Sequence, residues 1–326
     1  MAVGWFIAGF LVAIIIGFII LLILGIIAYT AISSFRADAL QAIVDNINKS
    51  AIAYCTSSPP LPTVPLPSLP TSVDLYDQTF AVECVKLCNF VSLGNCANIT
   101  PVAPPGYNNA TILKSVYNGV NVTVGGMFMN GSVGVIAFGG SLIPEQWRID
   151  LDSVQVKAAA FTATPAINVH RGFYNYYVAV RPAIQSWLAS NSATITQLLI
   201  TGHSLGGATA TLCYLDIMSG NLLPTPTTVL PTTVLYSFAS PRVGDNSFLN
   251  AFNPYIDNSF RVNNTEDLIP QLPLVNMGTT ANPVNYVHIG KGIAFTYSYG
   301  NYGDNHNKAY WFQLPANEDV PTFGET

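Results

Sequence analysis

Residues 198–208 read Leu-Leu-Ile-Thr-Gly-His-Ser-Leu-Gly-Gly-Ala, in which an apolar run leads into the pattern Gly-x-Ser-x-Gly. In a nucleophile elbow, this pattern forms a sharp turn between a strand and a helix and exposes the serine hydroxyl above the sheet. Gly202 and Gly206 allow the strand and the helix to approach each other closely. The helix N-terminus behind the turn offers backbone N–H groups to a developing oxyanion. The pattern therefore predicts that Ser204 is a nucleophile.

Predicted strands alternate with predicted helices on both sides of this turn. Residues 131–139 form an almost continuous apolar run, which is typical of a strand buried on both faces. Alternation of this kind predicts an α/β fold with a mostly parallel central sheet. The further predicted elements are strands at 197–201, 232–239 and 260–263, a hairpin of 286–289 with 293–299, and helices at 75–90, 173–189 and 205–218.

A serine nucleophile of this type needs a general base, and in α/β hydrolases the chain order is serine, acid, histidine. Only two histidines follow Ser204, at positions 288 and 306. His306 is the favoured base because it lies in a polar loop before a predicted helix. His288 lies inside a strand pattern, where a structural role is expected. His203 and His170 are expected to make packing hydrogen bonds.

Asp267 is the favoured orienting acid. It follows a predicted strand and precedes Pro270, so it is expected at the carboxyl edge of the sheet, where open α/β sheets bind ligands. Glu266 is adjacent to it and is expected to point the other way. The other candidates for this role downstream of Ser204 are Asp216, Asp245, Asp257 and Asp304.

An oxyanion hole needs two hydrogen-bond donors. The backbone N–H of Leu205, directly after the nucleophile, is one candidate. The second is expected from the loop after an earlier strand, where Gly139-Gly140-Ser141 follows the apolar run. Ser141 is the predicted second donor, although an ordinary Gly-Gly turn would have the same sequence.

The N-terminal residues 1–35 carry no charged side chain and are almost continuously apolar from position 5 to 32. Such a length predicts a transmembrane anchor, and a cleaved signal peptide is the alternative. Residues 36–70 are predicted as a juxtamembrane segment followed by a proline-rich stalk, with an SH3-type ligand as the alternative. Residues 71–326 are predicted as the catalytic domain.

Four of the five cysteines, at positions 55, 84, 88 and 96, lie together before the catalytic part. This clustering predicts two disulfides of unassigned pairing in an oxidising compartment, whereas a zinc site would be expected to include a nearby histidine. Cys213 is expected to be a small buried apolar residue. Six N-x-[ST] sequons, at 48, 98, 109, 121, 130 and 263, are consistent with a glycosylated lumenal or extracellular body. Arg36 and Lys49 would favour the opposite orientation.

The net charge is −5, only 9% of the residues are charged, and the sequence contains no basic run. These features argue against binding to nucleic acid. The predicted chemistry requires neither a metal nor a cofactor. Nothing in the sequence indicates an obligate protein partner.

Several motifs in a fixed order resemble the class 3 lipase family, the α/β hydrolases that include fungal triacylglycerol lipases and related acylglycerol hydrolases. The resemblance covers residues 73–314 and implies a Ser204, Asp267 and His306 triad with an oxyanion hole of Ser141 and Leu205. The motifs are the strand 133–138 with Gly140-Ser141, Trp147, Asp150, 169–173, 202–207, 238–244, 261–273, His288 and His306.

The resemblance also implies a lid helix directly after Ser141. Ile143 and Trp147 lie four residues apart and would share one face of that helix, as they would in a helix that faces the core. One position departs from the family pattern, because Gly139 stands where the family usually has an arginine before the oxyanion-loop glycine.

These observations predict a membrane-anchored serine hydrolase of carboxylic esters, with an acyl-lipid substrate at a lipid interface and triacylglycerol or other acylglycerols as the expected substrate. If the anchor is cleaved, the protein is expected to be secreted. The alternatives are a phospholipase A or another carboxylesterase, and a non-catalytic binding module that retains the fold.

Overall fold

The computed structural model comprises two compact units, residues Met1–Asn46 and Ile47–Thr326. Among the residues that the structure describes, no helix has the length and apolar character needed to cross a membrane. The predicted anchor at 1–35 lies outside those residues. The described residues are 38, 41–42, 45–46, 49, 53, 55, 59–66, 69–70, 72–96, 101–117, 119–143, 146, 149, 154–161, 166–222, 231–278, 283–314 and 322–323.

The second unit is built on an eight-stranded sheet with the order β1-β2-β3-β6-β7-β8-β11-β12. Two small two-stranded sheets, β4 with β5 and β9 with β10, lie outside it. The strands are β1 (Asn108–Tyr117), β2 (Val120–Asn130), β3 (Val133–Phe138), β4 (Gln155–Lys157), β5 (Asn168–His170), β6 (Gln197–His203), β7 (Thr232–Phe238), β8 (Ser259–Asn264), β9 (Asn276–Gly278), β10 (Pro283–Asn285), β11 (Lys291–Phe295) and β12 (Thr322–Phe323).

The centre of the large sheet is parallel. Strands β3, β6, β7, β8 and β11 pair in parallel, whereas β1, β2 and β12 add antiparallel partners at the two ends. The prediction of a mostly parallel central sheet is therefore confirmed. The register places Phe138 beside Gly202 and His203 beside Phe238, so the carboxyl ends of three central strands meet at one edge.

Helices cover both faces of the sheet, which explains why the central strands are apolar throughout. Successive strand side chains point to opposite faces. Leu199 accordingly packs with α1 residues, whereas Ile200 packs with residues of α2 and α3. The helices are α1 (Gln78–Ser92), α2 (Arg171–Asn191), α3 (Leu205–Met218), α4 (Asn246–Phe252) and α5 (Tyr302–His306).

The predicted hairpin of 286–289 with 293–299 is wrong. Strand β11 begins at Lys291 and pairs in parallel with β8. Lys291 and Gly292, which the sequence pattern predicts as part of a turn, therefore belong to this strand. The preceding segment contributes a single bridge, from Val287 to Gly244. Gly290, with φ of 88°, provides the turn before the strand.

The described part of the proline-rich segment packs against the catalytic unit rather than standing away from it as a stalk. Leu66 and Leu69 are each 3% exposed and belong to the α1-side core. The Leu66 N–H donates to the Tyr107 hydroxyl at 2.9 Å, and the Leu69 N–H donates to the Gln197 side chain at 3.2 Å. The leucines between the prolines supply apolar contacts that a free spacer would lack.

The cysteine prediction is partly wrong. One disulfide joins Cys55 to Cys96 and so ties the chain before the proline-rich segment to the turn that follows α1. Cys84 and Cys88 are buried and form no disulfide. They lie one turn apart on the core-facing side of α1, where burial raises the pKa of the Cys88 thiol to about 12. Cys213 is buried on α3, as expected.

Candidate active site

Ser204 lies at the sharp turn between β6 and α3, with φ of 59° and ψ of −125°. A non-glycine residue in this region is strained, at a cost of about 1–3 kcal/mol, and the surrounding packing must hold it there. A Cβ at position 202 would lie 2.0 Å from the Gly206 carbonyl oxygen. A Cβ at position 206 would lie 2.5 Å from the Phe138 carbonyl oxygen. Both glycines are therefore required by the close approach of strand and helix.

The structure brings Ser204, His306 and Asp267 into one hydrogen-bonded chain. His306 Nε2 lies 2.8 Å from Ser204 Oγ, and His306 Nδ1 lies 2.8 Å from Asp267 Oδ2. All three residues are buried, with at most 2% of each exposed. We assign the imidazole proton to Nδ1, which donates to the carboxylate, so that Nε2 is left to accept the serine proton. Asp267 follows β8, and His306 is the last residue of α5.

Tyr310 is a member of this site that the sequence reasoning missed. Its hydroxyl donates to Asp267 Oδ2 at 2.9 Å and accepts the backbone N–H of Asn264 at 2.9 Å. The Ile269 N–H donates to the other carboxylate oxygen at 3.0 Å. Burial, and then the Asp267 charge, raise the pKa of Tyr310 well above its ordinary value. Tyr310 therefore remains a proton donor to the carboxylate at any ordinary pH.

Two asparagines hold the acid loop and the histidine helix together. Asn264 Nδ2 donates to the Asn305 carbonyl oxygen at 3.2 Å. Asn305 Nδ2 in turn donates to the Glu266 carbonyl oxygen at 3.0 Å. Because these bonds cross between segments that are far apart in sequence, they fix the distance between Asp267 and His306.

His203 contacts both the backbone and the ring of His306. Its Nε2 lies 2.9 Å from the His306 carbonyl oxygen, and its ring lies 4.9 Å from the His306 ring. Burial, with a smaller contribution from His306, lowers the pKa of His203 to about 3. His203 is therefore neutral and donates to that carbonyl. This agrees with the predicted packing role, and it adds no second charge beside the catalytic pair.

The candidate oxyanion donors are Leu205, directly after the nucleophile, and Ser141, which lines the same cleft as the nucleophile. Leu205 is the first residue of α3, whose first amides have no acceptor within the helix. Ser141 is 6% exposed and lines a cleft together with Ser204 and His306. The remaining residues that line the cleft are Asn89, Ser92, Gly140, Leu142, His203, Asn307 and Trp311.

The other acidic candidates for the triad have different surroundings. Asp216 is buried on α3 and accepts from Arg181 Nε at 2.7 Å. Asp245 caps α4, and Asp304 lies 3.0 Å from Lys308 Nζ. Glu266 is exposed, as expected from its position beside Asp267.

The remaining histidines lie outside the triad. His288 is half-buried, and burial, followed by the charges of Arg261 and Arg242, lowers its pKa to about 2. His170 Nδ1 accepts the Phe173 N–H at 3.3 Å and so caps α2.

Only part of the predicted lid can be placed. Ile143 is half-buried and packs against the core, whereas Trp147 lies outside the residues that the structure describes. The described neighbour Gln146 is fully buried and donates to the Tyr176 hydroxyl at 2.9 Å. The lid itself stays a prediction.

The chain is similar to one family and to several characterised relatives. Residues 135–277 match the model of the family "Lipase (class 3)". The "Secreted mono- and diacylglycerol lipase A" of Penicillium cyclopium is 29% identical over 237 residues, covering 71% of this chain and 64% of that protein. The "Phospholipase A1-II 4" of Oryza sativa subsp. japonica is 32% identical over 176 residues, covering 48% of this chain and 41% of that protein. The chain thus spans less than two thirds of the length of either relative.

Solved structures share the fold. The native propeptide complex of Rhizomucor miehei lipase matches with a TM-score of 0.51 at 20% identity, covering 79% of this chain and 94% of that chain. The Lip2 lipase of Yarrowia lipolytica matches with a TM-score of 0.51 at 19% identity, covering 68% and 80%. The likeness at these identities establishes the α/β-hydrolase fold that the sequence predicted.

Proposed function

Because this chain belongs to the class 3 lipase family, we propose that it hydrolyses carboxylic esters by serine catalysis. The observation that carries the proposal is the continuous chain from Asp267 through His306 to Ser204, with both hydrogen bonds at 2.8 Å. These lengths are within the range of a nucleophile that is paired with its base.

In the proposed mechanism, Ser204 Oγ attacks the ester carbonyl while His306 Nε2 accepts the serine proton. His306 then returns that proton to the departing alcohol, which leaves an acyl-enzyme on Ser204. Water, deprotonated by the same imidazole, releases the carboxylic acid and restores the serine. Asp267 holds the required tautomer and stabilises the imidazolium. The backbone N–H groups of Leu205 and Ser141 stabilise the oxyanion in both tetrahedral intermediates.

Triacylglycerols or other acylglycerols are the proposed substrates, and phospholipids are the alternative. The first choice is supported by the Penicillium relative, which matches over the larger share of this chain. The phospholipase A1 from rice is more identical over a shorter region and supports the alternative. In either case the cleaved bond is an acyl ester and the substrate is presented at a lipid interface.

The proposed location of the catalytic domain is lumenal or extracellular. The disulfide between Cys55 and Cys96 supports it, because such bonds persist in oxidising compartments. The Penicillium relatives are named as secreted proteins. Retention of the segment 1–35 as an anchor, with a lid of Ile143 and Trp147 above the cleft, completes the proposal.

The test is hydrolysis of short- and long-chain p-nitrophenyl esters, emulsified triacylglycerol and phosphatidylcholine by the full chain and by Ser204→Ala. We expect turnover that disappears in the variant, with acylglycerol cleaved faster than phospholipid. Faster cleavage of the phospholipid would favour the alternative substrate. Absence of ester turnover and of fluorophosphonate labelling in the folded wild type would favour a non-catalytic binding module.

A further inference from the structure

We propose that Ser92, the last residue of α1, is a positioning residue that holds the oxyanion loop in its working geometry. The inference rests on the proposed function, since it assigns to Ser141 the second oxyanion donor. Ser92 lines the same cleft as Ser141 and Ser204 and is 6% exposed. It lies outside every motif that carries the family resemblance and 48 residues before Gly140.

The hydrogen bonds of Ser92 have a defined direction. Its hydroxyl donates to the carbonyl oxygen of Cys88 at 2.8 Å, so the oxygen is left as an acceptor. The N–H of Gly140 donates to Ser92 Oγ at 3.1 Å. Gly140 directly precedes Ser141, and a Cβ at position 140 would lie 3.5 Å from the Ser204 Cβ. The bond therefore fixes the peptide immediately before the proposed donor.

Gly139 makes this contact possible. A Cβ at position 139 would lie 2.9 Å from Ser92 Oγ and 3.2 Å from both Ser92 Cα and Ser92 N. The loop thus packs with its backbone directly on the end of α1. A side chain here would displace either the loop or the helix, which explains why glycine replaces the arginine that the family resemblance leads one to expect.

The helix end that carries Ser92 is held on three sides. The Asn95 side chain accepts the Thr123 N–H at 2.8 Å and donates to the Thr123 carbonyl oxygen at 2.8 Å. Asn89 Nδ2 donates to the Pro60 carbonyl oxygen at 3.0 Å, which ties α1 to the proline-rich segment. Cys96 is joined to Cys55. Ser92 therefore presents its oxygen from a support that does not move with the loop.

A fixed loop contributes to rate rather than to substrate binding. Oxyanion donors act on charge that develops in the transition state, and their effect depends on being correctly placed beforehand. An interaction that is stronger in the transition state than in the ground state changes kcat and leaves KM almost unchanged. Loss of the Ser92 hydroxyl should therefore produce that kinetic signature.

The experiment compares the full chain with Ser92→Ala, Ser92→Thr and the control Ser186→Ala. Ser186 makes the same type of hydrogen bond to a carbonyl one turn earlier, at 2.9 Å, but on the exposed side of α2. We measure kcat and KM on a soluble p-nitrophenyl ester per fluorophosphonate-titrated site, inhibition by an alkyl boronic acid, the melting temperature, and hydrogen exchange at Gly140. Boronic acids mimic the tetrahedral intermediate on the serine.

We expect Ser92→Ala to lower kcat about tenfold with KM unchanged, since one well-placed hydrogen bond is worth about one such factor. Boronic acid affinity should fall by the same factor, and Gly140 should exchange faster. Ser92→Thr, whose hydroxyl can make the same bond to the helix, should recover most of the rate. Ser186→Ala should match the wild type.

A Ser92→Ala rate within twofold of an active wild type would overturn the inference and leave the proposed function intact. So would an equal loss in Ser92→Ala and Ser92→Thr with both proteins folded. A wild type that neither labels nor hydrolyses esters would instead overturn the proposed function. Gly140 exchange tests the structural part of the inference in that case, and unchanged exchange in Ser92→Ala would refute it.

Discussion

Replacing Tyr310 with phenylalanine removes one hydroxyl that makes two hydrogen bonds inside the candidate site. The Asn264 N–H, which is buried, loses its acceptor. Asp267 loses one of the donors to the oxygen that also faces His306. The ring remains, and its edge-to-face contacts with His203 and Phe295 are preserved. The substitution therefore isolates the hydroxyl.

The magnitudes follow from those two bonds. An unsatisfied buried N–H costs about 1–3 kcal/mol, and a hydrogen bond to a charged group contributes about 1.5–3 kcal/mol. Since the Asn264 N–H and the carboxylate relax in part, we expect a loss of about 2–4 kcal/mol in unfolding free energy. We expect kcat to fall about tenfold, because the acid that orients His306 is less firmly held. Because the pKa of Tyr310 is raised, the ratio of the wild-type kcat to the Tyr310→Phe kcat should be the same from mildly acidic to mildly alkaline pH.

The assay is urea unfolding together with ester hydrolysis over that pH range, with Tyr236→Phe as the matched control. The Tyr236 side chain is fully buried, and its hydroxyl accepts the Asp77 N–H at 3.1 Å, away from Asp267. The control should lose about 1–2 kcal/mol of stability and keep its kcat. An unchanged kcat in Tyr310→Phe, or an equal loss in the control, would refute the reasoning.

Three further changes have defined outcomes. Gly206→Ala should abolish fluorophosphonate labelling and lower the melting temperature, because its Cβ would lie 2.5 Å from the Phe138 carbonyl oxygen; normal labelling would contradict this. Replacing Cys55 and Cys96 by alanine should lower the unfolding free energy in urea by about 2–4 kcal/mol, because the bond closes a loop of sequence separation 41; no loss would contradict this. Burial lowers the pKa of His288 to about 2, below the value of about 6.5 in an unfolded chain, so only the unfolded chain takes up this proton between those pH values and stability falls as the pH falls. When the pH falls from about 7.5 to about 4.5, the unfolding free energy of His288→Asn should therefore decrease by about 2–3 kcal/mol less than that of the wild type. Equal decreases in the two proteins would contradict the assignment.

The features that could be predicted from the sequence are those encoded locally. The elbow at Ser204 is a short pattern, and the contact that requires Gly202 is with Gly206, only four residues away. The parallel sheet follows from the alternation of strands and helices. The chain order of serine, acid and histidine predicts Asp267, which follows a strand, and His306, which lies in a polar loop before a predicted helix. The structure brings both into one hydrogen-bonded chain with Ser204.

Features that depend on distant contacts could not be predicted. Tyr310 reaches Asp267 across 43 residues and Ser92 reaches Gly140 across 48, so no spacing rule indicates either. The proline-rich segment has the composition of a free spacer, and only the packing of Leu66 and Leu69 against the sheet shows otherwise. Cys84 and Cys88 cluster in sequence with the bonded cysteines, but the helix that carries them buries both.

The failed hairpin has a similar origin. Gly290-Lys291-Gly292 has the composition of a tight turn, and the flanking runs have that of strands. The observed pairing of β11 with β8 aligns Ile293 with Val262, two buried residues of the central sheet. Burial in the core therefore outweighs the local turn preference.

The most direct test of the account is the site of covalent labelling by a fluorophosphonate, read by peptide mass spectrometry on the folded full chain and on His306→Asn. Only a serine that is activated by a neighbouring base reacts quickly with such a probe. We expect rapid modification of Ser204 alone in the wild type, and its loss in His306→Asn. No labelling, labelling of a different serine, or equal labelling of the two proteins would contradict the assignment of Ser204 and His306 as nucleophile and base.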